Sequence, residues 1–596
     1  MANWFKRPGM RRSQAVTTFG PGAIVDLRNG SAMMVGTDFW KDDHIIEIHE
    51  PNLERALRVS GFRVPTTADQ GDGKDLPAVV FPRWMVCPRC NRLAPYEYFA
   101  GTLHGPGKPI RCPECRIQIY PTRLIVACEH GHIDDFPWVE WVHLKSGREV
   151  CARPVLFLRA RGFSSTLADL EIRCKGVDCD AHTSLSGATE KDNLKFHPCE
   201  GKRPWLLDKE KCGEPVRPLQ RGASNVYFSV QVSSISIPPW SRAVFTKLHP
   251  HWSIFKAMPD IALEATVQAL NLPAQLGMSV ADIVEAIRQR KDQEKISEEK
   301  FTEKQLRYQE CRALRQASRD EEILSDFKTM QAEVPNILKG LVSKVMLVER
   351  LREVRALLGF TRINPPDPTS RLEITLAPIS RVHKDWYPAV EIRGEGIYIE
   401  FDETAILKWI GSQKSIMDRA GKLHQSYTEM CERKQWSPLR EISPRFLLVH
   451  AMAHILIRQL GLESGYSSAS LRERLYSFEP GELGDNPGIA GLLIYTSTPG
   501  SEGSLGGLVR QGKPDRFGPL MHDALIEASW CSSDPLCIES EGQGNDATNL
   551  AACHACLLLS ETCCEEFNRF LDRGVVVGTL TATASGFFSE YLDQNT

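Results

Sequence analysis

Cysteine carries the chemistry of this sequence. Eighteen cysteines occur in 596 residues, and they are grouped. Cys87-x-x-Cys90 and Cys112-x-x-Cys115 form two close pairs with one loop between them. With this spacing a zinc ribbon supplies four thiolates to one tetrahedral ion from two tight turns. Four thiolates close the coordination shell and leave no position for a reacting water, so the zinc expected here is structural. Cys174 and Cys179, followed by Cys199 and Cys212, read as a second structural zinc module, with His182 and His197 as competing ligands. A third concentration lies between Cys531 and Arg573. There Cys531, Cys537, Cys553, Cys556, Cys563 and Cys564 offer more thiols than one ion needs. About three zinc ions are expected in all.

Other groups invite a catalytic reading. The segment ACEHGHIDDFPWVEWVH carries Cys128, His130, His132, Asp134, Asp135 and His143. A hydrolytic metal needs histidine and carboxylate ligands with an open position, and those residue types are present. On a strand, however, Cys128, His130 and His132 would share one face, a pattern that also suits core packing. His450 and His454 stand four apart, as in H-E-x-x-H peptidases, but residue 451 is alanine where the general base would be. Satisfied core histidines are expected there. The turn SEGSLGGL, Ser501 to Leu508, could cradle a phosphate but has no P-loop lysine, so a structural turn is expected.

Nucleotide-hydrolysis motifs are missing from these residues. In GPGKP (105–109) Pro109 stands where a Walker A loop has Ser or Thr, and RDEE (319–322) lies in a charged helical pattern and not at the end of an apolar strand. No G-x-S-x-G elbow occurs. The chain is not expected to hydrolyse ATP alone.

Composition is that of an ordinary globular protein, 42% apolar and 25% charged. Net charge is −3, far from the strongly basic balance of a protein that coats DNA by charge alone. With neither an apolar signal core after MANWFKRPGMRRSQAV nor a run of eighteen apolar residues, a cytoplasmic chain without membrane spans is expected. In such a compartment metal explains repeated C-x-x-C pairs better than disulfides do.

The elements that must hold these residues read as α+β and multidomain. An N-terminal segment, 1–80, contains Lys6, Arg7, Arg11, Arg12 and Arg28 around the turn Gly20-Pro21-Gly22, either a basic arm or a solvated terminus. A β-rich zinc-ribbon region spans 81–250 and ends in the alternating NVYFSVQVSSISIP (225–238). A helical region follows over 251–365, including the amphipathic LVSKVMLVERLREVRALLGF (341–360). The last region, 366–596, is expected to be an α/β domain with a four-cysteine zinc site. Its RFLLVHAMAHILIRQLGL (445–462) is apolar on nearly every face and should be a buried core helix. Phe567, Phe570 and Leu571 lie at helical spacing and predict a C-terminal amphipathic helix.

Several of these stretches also carry a resemblance. The GG turn, the spaced cysteines and C-x-x-x-N-x-x-LDR (Cys564, Asn568, Leu571 to Arg573) resemble the helicase-associated domain that ends MrfA-type DNA-repair helicases. FGPGAIVDL (19–27), GHIDDFPW (131–138), QRGASNVYF (220–228), ERLREVRALLGFTRI (349–363) and ESGYSSASLRERLY (463–476) resemble the DrmB family of DISARM antiphage systems. The resemblance implies Cys537, Cys553, Cys556 and Cys564 as the last zinc set. Cys531 could replace one of them, and Cys563 departs from the pattern as a plain buried thiol. It further implies a hetero-oligomer in which the helicase-like subunit DrmA supplies the motor and contacts to DNA are made through the complex.

Overall fold

The computed structural model describes residues 12–595 apart from 28–29, 41–45, 66–75, 101–109, 162–165, 239, 242, 249–250, 296–300, 319–324, 367–375, 435, 437–439, 497–505 and 545. Most of the basic arm (Lys6, Arg7, Arg11, Arg28), GPGKP, RDEE and the first part of SEGSLGGL lie outside the described residues. The chain packs as two compact units. The first comprises 1–48, 59–232 and 355–390, the second 49–58, 233–354 and 391–596. The contiguous segments 1–80, 81–250, 251–365 and 366–596 are therefore not the packing units. The strands Val342–Thr361 and Trp386–Phe401 each contribute residues to both.

The first unit is built from small antiparallel sheets. In the largest, strands follow the order His182–Ser184, Leu170–Cys174, Leu156–Ala160, Arg92–Pro95, Trp84–Val86 and Tyr120–Pro121. A second sheet sets Leu124–Ala127 between Ile133–Asp135 and Arg217–Gln220. Cysteine, glycine and proline turns end these strands early, so each buries little apolar surface. The core that covers them holds Trp138, Trp141, Leu156 and Ile172 together with Cys128, Cys174 and Cys199.

Arg362 ties this unit together. Fully buried, it donates to the carbonyls of Gly131 (2.8 Å), Val226 (2.5 Å) and Gly22 (2.9 Å). Phe360 beside it stacks with Trp205 and Tyr227. Gly22 and Gly131 both have positive φ, and a Cβ on either would enter Phe360 or Ala377. Four separated stretches, 19–27, 131–138, 220–228 and 349–363, thus meet at one side chain.

The second unit is organised on the helix Pro444–Ser464. Ser443 caps it by accepting from the Phe446 amide at 3.3 Å, Pro444 starts it, and Gly465 ends it in the left-handed region. It is the helix among the described residues long and apolar enough to cross a membrane, yet 78% of its most apolar window is buried. Around it pack Lys414–Lys434, Pro514–Ala528 and the antiparallel strands Leu471–Phe478 and Ile489–Thr496. A separate helical cluster over 243–295 has its own core, including Trp252, Phe255, Leu263 and Ile287.

Two expected helices are corrected. Residues 341–360 form most of the strand Val342–Thr361, with both faces buried. Its charged residues are paired inside: Arg352 with Glu50 and Glu391, and Glu353 with Arg474. Leu, Glu and Arg favour helix locally, but tertiary burial of both faces decides the outcome. Residues 565–568 form a turn and 569–572 an irregular stretch, with Phe567, Asn568 and Phe570 at positive φ, and helix resumes only at Gly574–Val577 and Ser589–Asn595.

Candidate metal centres

Among the described residues four tetrads of thiolate-rich ligands are brought together, and a further group forms around Cys564. In each, the ligand atoms lie within 4.8 Å of one another.

Cys87, Cys90, Cys112 and Cys115 form the first. Two knuckles of the same construction hold it. Cys87 N donates to Arg92 O and Asn91 N to Cys87 O, and Cys112 and Arg116 repeat the pair with Ile117 and Cys112. Asn91 (φ 61°) and Arg116 (φ 57°) occupy the left-handed region after each C-x-x-C. Such a conformation costs a non-glycine residue about 1–3 kcal/mol, an expense that ligand geometry offsets when metal binds. Cys90 and Cys112 sulfurs sit 3.8 Å apart.

Cys174, Cys179, Cys199 and Cys212 do not meet at one point. The structure divides them between two interleaved tetrads, and this corrects the grouping expected from spacing. Cys199 and Cys212 join Cys128 and His132; Cys174 and Cys179 join His143 and Cys151. Strand pairing is the reason. Arg217–Gln220 lies against Leu124–Ala127, which carries the chain after Cys212 to the strand before Cys128. Leu156 pairs with Cys174, which brings the Cys151 loop to the end of Leu170–Cys174. His182 and His197 belong to neither tetrad, and His130 stands outside with its Nδ1 3.9 Å from Cys212 Sγ. Cys151 has no partner at short spacing, so the sequence carries no signal for it, and His143 lies in the same segment as the carboxylates Asp134 and Asp135.

Both histidines have the support a metal-bound imidazole needs. His132 Nδ1 faces Cys128 Sγ at 3.4 Å while Nε2 donates to Glu210 at 2.7 Å. His143 Nε2 faces Cys179 Sγ at 3.4 Å while Nδ1 donates to the Val139 carbonyl at 2.7 Å. A partner on the far nitrogen fixes ring orientation and tautomer. Hydrogen bonds from the Cys199 thiol and, more weakly, from His132 bring the Cys128 thiol down to about 4, against the effect of burial. The Cys128 sulfur, helped by Glu210, holds His132 up at about 9. The metal-free pair is thus a thiolate beside an imidazolium, and an incoming dication replaces that proton.

The carboxylates of the catalytic reading are engaged elsewhere. Asp134 pairs with Lys202 at 2.6 Å, and Asp135 accepts from the amides of Arg83 (3.1 Å) and Trp84 (3.0 Å). Both line a cavity of about 650 Å³ with Trp138, His197 and Glu200, and neither belongs to a tetrad.

In the second unit the tetrad is Cys531, Cys537, Cys553 and Cys556, with sulfurs 3.6 Å (Cys531–Cys553), 3.7 Å (Cys537–Cys556) and 3.7 Å (Cys553–Cys556) apart. Cys531 takes the place expected for Cys564, which lies instead with His450, His454 and Glu473. The LDR motif anchors this tetrad. Arg573 Nη2 donates to both carboxylate oxygens of Asp534, between the first two cysteines, at 2.7 and 2.9 Å, and Asp572 receives Arg419 at 2.6 Å through two nitrogens. Asn568 brackets Leu559 through both ends of its amide, at 2.8 and 3.1 Å. Cys563 is buried and outside every tetrad, as are Cys311 and Cys431. The Gly506-Gly507 end of the GG turn is structural, since the Leu508 amide is taken by Glu395 at 2.7 Å.

Two family models match the regions that carry these groups. The family described as the MrfA Zn-binding domain matches residues 452–557, which include all of Cys531, Cys537, Cys553 and Cys556 and stop before Cys564. A domain of unknown function, DUF8724, matches 11–228 and takes in the other three tetrads. A crystal structure of the DUF1998 helicase MrfA bound to DNA is 12% identical, with 37% of this chain and 23% of that chain covered; its TM-score of 0.18 is too low to support any likeness of fold. Zinc is the cofactor that a matched zinc-binding domain and thiolate-rich tetrads share. The DISARM protein DrmB of Bacillus paralicheniformis (strain ATCC 9945a / NCIMB 11709 / CD-2) is 34% identical over 580 residues, 95% of this chain and 100% of its own length. A relative this similar over nearly the whole chain places the protein in the DrmB family of the DISARM defence system.

Proposed function

We propose that this chain is the non-catalytic, zinc-closed subunit of a cytoplasmic antiphage complex, which binds the superfamily-two helicase-like subunit DrmA and helps it engage DNA. The observation that carries this reading is the match of 452–557 to a zinc-binding domain named for a helicase, in a sequence with no nucleotide-binding loop of its own. The ligands are Cys87, Cys90, Cys112 and Cys115; Cys128, His132, Cys199 and Cys212; His143, Cys151, Cys174 and Cys179; and Cys531, Cys537, Cys553 and Cys556. Each set fills a tetrahedral shell, so the ions fix loops and do not activate water. A motor supplied in trans would then be completed by this chain's zinc domain.

Co-purification with the helicase-like subunit, with DNA-stimulated ATPase measured on each protein and on the pair, tests this. A stable active pair, no turnover by the chain alone and crosslinking of the chain to bound DNA are expected. An active pair without crosslinks would leave a protein adaptor, a role compatible with the net charge of −3. Metal-dependent DNA cleavage by the lone chain, lost in Asp134→Ala, would replace the proposal with a nuclease.

A further inference from the structure

Cys564, left out of the zinc-domain tetrad, sits in a site of its own. His450 and His454 project from successive turns of the central helix, Glu473 lies within the strand Leu471–Phe478, and Cys564 follows the last tetrad. His450 Nε2 is 3.3 Å from Cys564 Sγ and 3.3 Å from Glu473 Oε1, and His454 Nε2 is 3.5 Å from Glu473 Oε2. With Zn–N of about 2.0–2.1 Å and Zn–S of about 2.3 Å, tetrahedral ligand atoms stand roughly 3.3–3.8 Å apart. The observed spacings match. Both histidine side chains and Glu473 are fully buried.

Most hydrogen bonds around the group point outward, and the His450 Nε2–Cys564 Sγ contact at 3.3 Å lies within it. His450 Nδ1 donates to Phe570 O at 3.3 Å and His454 Nδ1 to Leu557 O at 2.9 Å. Cys564 Sγ accepts from the Glu566 and Asn568 amides, both at 3.3 Å, and Glu473 Oε1 accepts from the Glu565 amide at 3.0 Å. With each Nδ1 protonated, a neutral ring turns an Nε2 lone pair toward an anionic oxygen or sulfur. Acceptors then face acceptors, and His454 Nε2 and Glu473 Oε2 make no hydrogen bond. A cation between them gives each of these acceptors a partner. Protonating both rings against one carboxylate and a neutral Cys564 thiol would leave a net positive charge in the core, which is costly. One dication with a thiolate, a carboxylate and two neutral imidazoles sums to zero.

We propose that His450, His454, Glu473 and Cys564 bind a fifth, structural zinc ion, distinct from the thiolate-rich tetrads and independent of the helicase-partner reading. Thiolate with imidazole selects zinc over the hard cations. The ion pins the central helix, its neighbouring strand and the turn after the last tetrad to one point. It also gives a reason for the left-handed turn at Phe567 and Asn568, which aims the Asn568 amide at the Cys564 sulfur.

Two measurements on the full chain test this. Native mass spectrometry is expected to count five zinc ions in the natural protein and four in Cys564→Ala. Crystals measured on both sides of the zinc absorption edge are expected to show an anomalous peak between His450 Nε2 and Cys564 Sγ, separate from that of the Cys531 tetrad. This second readout needs no variant to fold. Occupied thiolate-rich tetrads with no peak at this site, or a peak there that persists below the zinc edge, would overturn the proposal.

Discussion

The two units solve the same problem with different amounts of hydrophobic core. In the first, short strands surround a core in which cysteines are themselves packing residues, and three tetrads fall within 87–212. In the second, a long capped helix is buried among helices and strands, and the Cys531 tetrad lies at the edge of a large apolar cluster. Small sheets that bury little surface need metal to close them, and structural zinc can supply apparent binding energies of about 10–16 kcal/mol. A unit with an extensive core uses zinc to shape a surface. The difference is therefore between zinc that makes a fold and zinc that finishes one.

The strongest challenge to that contrast is removal of a ligand from the interleaved pair of tetrads. Cys128→Ser should abolish ordered structure across residues 84–226 while the second unit stays folded, as read by limited proteolysis with mass-spectrometric mapping. A Cys553→Ser, Cys556→Ser double variant should lose one zinc and partner binding together and unfold the 531–573 region locally, with the apolar core retained. If that variant keeps its zinc, the ligands of the tetrad are wrongly assigned. Arg362→Met leaves three buried carbonyls unpaired and should destabilise the first unit by about 3 kcal/mol, roughly 1 kcal/mol for each lost hydrogen bond, seen as a lower denaturant midpoint. Cys563→Ser should leave metal content unchanged and cost no more than about 1 kcal/mol.

Local spacing reveals some of this architecture and hides the rest. Cys87, Cys90, Cys112 and Cys115 are legible because each C-x-x-C is one turn and both turns lie close in sequence. The central helix is legible because its run of residues is long and apolar on nearly every face. Cys151 and His143 are not, because their partners are chosen by which strands pair, and the nested order 128–132 with 199–212 around 143–151 with 174–179 leaves no periodic trace. The strand Val342–Thr361 reads as helix because its buried charges resemble a solvated face until Glu50, Glu391 and Arg474 are seen to neutralise them. LDR reads as a helix end, yet Asp572 and Arg573 are buried anchors for Arg419 and Asp534. In each case a distant partner decides, and spacing cannot name it.

The contrast between the units is tested most directly by amide hydrogen exchange on the full chain as zinc is withdrawn by a chelator. Early loss of protection over Trp84–Val86, Leu124–Ala127 and Leu170–Cys174, with Ile489–Thr496 and Pro514–Ala528 still protected, is the predicted result. Loss of protection in both units together, or a first unit that stays protected without its metal, would contradict it.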